Sequence, residues 1–150
     1  MTIVMSQTLG DVCEAVALLD SRTRRRLVEI ALENGYAAKD IAAIMGVSPA
    51  AVSRYVHESL SPSTETLCRM IYGIDDETRT RILVEAAQTL WNALERLLHA
   101  IPPSPDKMML AEGIADKISI ILAETTIYNN KKPTRDNLTQ ILDTGKAEQA

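Results

Sequence analysis

A chain of 150 residues with 46% hydrophobic and 24% charged side chains has an ordinary globular make-up, long enough for one domain or a small domain with an appended module. No apolar run approaches the length of a bilayer span, and the start MTIVMSQT lacks a basic region followed by a long apolar stretch, so a cytoplasmic protein is expected. Phe is absent and Trp91 is the only Trp, which leaves Leu, Ile, Ala, Val and Met to build the core, an alphabet that suits helices.

The periodicity predicts helices throughout and no strand. A first helix is expected from about Ser6 to Leu19, with Leu9, Val12, Cys13, Val16 and Ala17 or Leu19 inward. Asp20 or Ser21 can cap a second helix that carries Leu27, Val28, Ile30, Ala31 and Leu32 and stops at Asn34-Gly35.

The next stretch, AKDIAAIMGVSPAAVSRYV from Ala38 to Val56, reads as two short helices around a tight turn. Ala42 is small enough for the helices to cross closely. Gly46 suits a helix end that needs positive φ. Val47 can plug the corner, Ser48 can cap the second helix, and Pro49 fits its first position. Val52 turns the inner face of that helix towards the first. A loop Ser59 to Pro62 and a helix STETLCRMI, Ser63 to Ile71, follow.

The segment from about Leu27 to Ile71 resembles the lambda-repressor-like (Cro/repressor, Xre-type) helix–turn–helix family, in its Ala–Gly–Val spacing, its Gly-Val-Ser corner and its Val-Ser-Arg-Tyr run. The resemblance implies an all-α fold with a DNA-binding helix–turn–helix bundle over residues 1–74 (motif 38–56). It also implies that the helix from Pro49 to about His57 enters the major groove of double-stranded DNA, and that the protein acts as a homodimer on a palindromic site. The family often opens the first motif helix with a polar residue, commonly Gln; here that position is Ala38.

Beyond Gly73, Asp75 can cap a long helix to about Ile101. Leu83, Ala87, Leu90, Leu94, Leu97 and Ile101 recur at spacings of four and three, a candidate dimer seam that equally fits packing within the chain. Pro102, Pro103 and Pro105 end it. A further helix, about Asp106 to Ile127, carries Leu110, Ile114, Ile118, Ile121 and Leu122 on one stripe. Residues 75–150 are thus expected to form a helical dimerisation or interaction region with a flexible tail, which holds a short helix near Asp136 to Leu142.

The side chains expected to meet DNA are Lys39, Ser48, Pro49, Ala50, Ser53, Arg54, Ser61, Ser63 and Thr64. Arg54 leads, because a guanidinium can hold guanine O6 and N7 with two bonds. For Arg22, Arg24, Arg25 and Arg26, a phosphate clamp and a solvated charged face are both open. The net charge of −4 is awkward for DNA binding, but local field counts for more than total charge. Cys13 and Cys68 read as small buried hydrophobes. With His57 and His99 as the only histidines, no metal site, cofactor or catalytic constellation is expected. The function expected is a sequence-specific transcriptional regulator without enzyme activity. The alternatives are a protein-interaction adaptor with a degenerate motif and a nonspecific architectural DNA binder.

Overall fold

The computed structural model describes residues 10–131, and these are all-helical. Their helices are α1 (10–16), α2 (Ser21–Glu33), α3 (Ala38–Met45), α4 (Pro49–Val56), α5 (Thr64–Gly73), α6 (Asp76–Ala100) and α7 (Pro105–Lys131). The chain divides into two compact units, Met1–Leu97 and Leu98–Ala150. The first unit reaches past residue 74 because Thr78, Ile82 and Ala86 of α6 are buried with the preceding helices. The expected start of the first helix at Ser6 and the expected short helix near Asp136 lie outside the described residues.

The first unit is built on an aliphatic core. Leu27, Val28, Ala31, Ile41, Met45, Val52, Leu67, Met70 and Ile82 are wholly buried. Helix α3 is its hub, packing on α4 and α5, while α2 packs on α4 and α3. Helix α1 ends three residues short of the expected Leu19. The chain tightens there into i→i−3 bonds, Leu18 N–H to Ala15 O and Leu19 N–H to Val16 O, each 3.1 Å. Val16 and Leu19 are buried in the core, whereas Ala17 is exposed.

The starts of the helices follow their sequence signals. Thr23 N–H donates to the Asp20 carboxylate at 2.8 Å, which opens α2. Ser48 and Ser63 accept from the backbone of Ala51 and Thr66 to open α4 and α5. Asp75 accepts from Thr78 N–H at 3.1 Å to open α6, and Ser104 accepts from Lys107 N–H ahead of Pro105 to open α7.

Cys13 and Cys68, read from sequence as separate small hydrophobes, are joined as a disulfide between α1 and α5, with Cα atoms 5.7 Å apart. Their separation of 55 residues in sequence carries no signal of that pairing.

Gly73 is the last residue of α5. A Cβ there would lie 2.5 Å from the γ2 methyl of Ile44 on α3. Ile44 is β-branched and on a helix, so its χ1 cannot swing the methyl away. Gly73→Ala is expected to destabilise the fold by about 1–3 kcal/mol, with part recovered in Gly73→Ala/Ile44→Ala. Paired denaturant titrations check this; an unchanged midpoint in the single variant would show that the two helices are not this close.

Asp75 also binds α6 to the end of α2. Its carboxylate accepts from the Thr78 hydroxyl at 2.6 Å and the Tyr36 hydroxyl at 2.7 Å. The Thr78 hydroxyl, then the Tyr36 hydroxyl and the Thr78 amide, hold its pKa well below the usual carboxylate value of 3.8. The stability linked to this depression is present above the unfolded-state pKa, and it is lost as pH falls through the lower folded value. Melting temperature should therefore decline as pH drops below about 4. The decline should be shallower in Asp75→Asn, with Asp20 and Glu33 supplying the residual slope, since both are also lowered. Parallel curves for the two proteins would remove Asp75 from this linkage.

Candidate nucleic-acid interface

The α3–α4 corner is set by backbone chemistry. Gly46 sits at φ 71°, ψ 34°, the left-handed region that costs glycine least. Val47 N–H donates to Ala42 O at 3.0 Å and Gly46 N–H to Ala43 O at 3.3 Å, the paired closure of a left-handed helix end. Arg69 of α5 completes it. Its Nη1 donates to Met45 O at 3.3 Å and would lie 3.2 Å from a Cβ at position 46, while Nη2 pairs with Glu65 at 2.6 Å. Ala42 is buried at the crossing, Val47 half-buried in the corner, and Val52 and Tyr55 are turned into the core.

That leaves Pro49, Ala50, Ser53 and Arg54 exposed on α4, with His57 and Glu58 beyond them and Lys39 exposed on α3. Neither Lys39 nor Arg54 enters any of the ion pairs found among the described residues. Helix α4 ends with the same closure as α3, Ser59 N–H to Arg54 O and Glu58 N–H to Tyr55 O, but Glu58 and not glycine takes the positive φ of 65°. A non-glycine residue there is disfavoured by roughly 1–2 kcal/mol.

The serines divide. Ser48 and Ser63 are exposed, but each hydroxyl already caps its helix, and Ser63 Oγ lies 2.7 Å from Thr66 Oγ1. Thr64 is half-buried. Ser61 departs most from expectation: its hydroxyl oxygen is buried and has no hydrogen-bond partner, so it is turned away from the surface on which a phosphate contact would be made. Its neighbour Pro62 is wholly buried, which draws the loop inward.

The Arg22 to Arg26 cluster is not brought together as one cationic surface. Arg24 donates to the carbonyls of Leu19 at 2.9 Å, Ala17 at 3.2 Å, Pro62 at 3.4 Å and Val16 at 3.5 Å, so its guanidinium ties α1 and the 59–62 loop to α2. Arg26 pairs with Glu33 at 2.7 Å and Glu29 at 3.2 Å. Arg22, Arg25 and Arg26 line a polar cleft of about 560 Å³ whose walls also carry Asp20, Glu29, Glu58 and Glu85, so carboxylates offset its cations.

The seam on α6 also divides. Leu83 and Leu90 are half-buried and pack on the core of their own unit, while Ala87 is exposed and Leu97 is 65% exposed. Leu94 and Ile101 are half-buried.

Two roles had no sequence signal. Arg69 closes the α3–α4 corner, and Arg79 does the same for the α5–α6 linker, donating to the carbonyls of Ile71 at 2.8 Å, Ile74 at 2.7 Å and Tyr72 at 3.2 Å. An arginine that clamps carbonyls looks in sequence like one that faces water. Among the described residues no helix is long and apolar enough to cross a membrane, and no cluster of metal-ligating side chains occurs. No family model, curated protein or solved structure matches the chain.

Proposed function

We propose that the chain is a sequence-specific DNA-binding regulator working as two copies on a dyad-related site, with α4 as the helix that enters the major groove. The observation that carries this reading is the α4 surface: a short helix fixed at its N-terminal corner, with small side chains at Pro49, Ala50 and Ser53 and one exposed cation, Arg54, outside the ion pairs. Small residues let the helix backbone approach the base edges closely. A single arginine then supplies the two-bond contact that distinguishes guanine.

Lys39 stands at the start of α3, where a phosphate contact would fix the register. Ser48 and Ser63 serve as caps, so their contribution in this reading is the orientation of the N-termini of α4 and α5. Ser61, Arg24 and Arg26 have no part in it. One copy reading so few bases would bind weakly, and two linked copies raise the affinity through effective concentration. On the α3–α4 surface Lys39 and Arg54 are the cations outside the ion pairs, which implies few phosphate contacts and hence a shallow salt slope.

Selection of bound fragments from random duplexes at near-physiological salt should return a two-fold symmetric consensus. Arg54→Ala should weaken binding to it by about 1–3 kcal/mol while leaving the helical content intact. Binding without any consensus would indicate an architectural role. Absence of binding would leave the exposed α4 surface to a protein partner and end the DNA reading.

A further inference from the structure

Helix α7 is apolar on more than one side. At 100° per residue, Leu110, Ile114, Ile118 and Leu122 run along one side, while Met109, Ile120 and Ile127 project from nearly the opposite one. Met109 is 70% exposed and Ile120 62%, and the large apolar side chains of this one helix hold a surface on the order of 800 Å². A helix of this kind is one that neighbours surround.

We propose that α7 pairs antiparallel with α7 of a second copy of this chain, about a two-fold axis at the level of residue 116. The proposal rests on the two-copy reading above and names its contact. Leu110, Ile114, Ile118 and Leu122 form one row at a constant spacing of four, and the row reads Leu-Ile-Ile-Leu in either direction. An antiparallel two-fold therefore sets Leu110 of one copy against Leu122 of the other and Ile114 against Ile118. Rows of this spacing interdigitate with the helices crossing at about −50°.

Gly113 bears on the same contact. A glycine inside a helix lowers its stability relative to alanine. Among the described residues nothing requires it, since an added Cβ would meet none of their atoms within 4 Å. It lies in a shallow surface notch bordered by Asp106, Met109, Leu110, Ile114 and Lys117. In the two-fold register Ala111 lies opposite Ile121, which brings that 59% exposed side chain of the second copy against the notch. The axis repeats the contact on the other copy. Asp116, at the level of the axis, is about 160° around the helix from Ile114 and so turned away from its own image.

The test is the mass of the full chain in sedimentation equilibrium over a range of concentrations. Wild type should reach about 33 kDa, twice the 16.5 kDa of one chain. Ile114→Glu/Ile118→Glu breaks the row. Gly113→Gln fills the notch with a residue that favours helix, so misfolding cannot explain its effect. Both variants should raise the dissociation constant about tenfold or more with unchanged circular dichroism. Leu97→Glu, on α6, should keep the dimer. A dimer that survives both α7 variants would overturn the proposal and leave the two-copy reading standing. A wild type that stays at 16.5 kDa at every concentration would overturn both. Binding of a half-site duplex by the same variants reports on the DNA reading separately, because it needs α4 but no second copy.

Discussion

The contact on which the first unit turns is that of Ile44 with Gly73. With no side chain at position 73, α5 lies against α3 closely enough that a Cβ would come within 2.5 Å of the Ile44 γ2 methyl. At that separation Arg69 of α5 reaches the last carbonyl of α3 and lies over Gly46. The left-handed corner is thus held from two directions, by its own backbone bonds and by a guanidinium from the next helix. The direction of α4 follows from the corner. Which side chains reach solvent on α4, and at what angle, is decided by a close helix contact that none of those side chains makes.

Arginine does structural work through the rest of the unit as well. Arg24, Arg69 and Arg79 each reach back to the carbonyls that a helix end leaves unsatisfied, closing the α1–α2, α3–α4 and α5–α6 linkers. A planar fork of five donors suits this task better than the single ammonium of lysine. The same use of arginine bears on electrostatics. In a chain of net charge −4, carboxylates offset the charge of Arg26, Arg69 and Arg79, while Lys39 and Arg54 stand outside such pairs on the α3–α4 surface.

Much of the fold could be read from sequence because its determinants are local. The caps Asp20, Ser48 and Ser63, the proline opening α4 and the glycine closing α3 each act within four residues. What escaped the sequence depends on distance along the chain. The Cys13–Cys68 bond, the Gly73–Ile44 approach and the Tyr36–Asp75 hydrogen bond join segments 29 to 55 residues apart. Heptad spacing on α6 likewise could not say which neighbour it would meet. The structure divides it, with Leu83 and Leu90 on their own core and Leu97 in solvent. Among the candidate site residues, identity was a poor guide wherever one residue type serves two roles. Ser61 and Ser63 differ by two positions, yet one hydroxyl is buried and the other is an exposed cap.

In the proposed function α4 and the start of α3 form the nucleic-acid surface. Amide chemical-shift mapping of the full chain against the selected duplex tests it most directly. Perturbations are expected at Lys39 and from Ala50 to His57, with Arg22 to Arg26 and α7 unmoved at saturating DNA. Perturbations confined to α6 and α7, or to the Arg22–Arg26 cleft, would contradict this assignment.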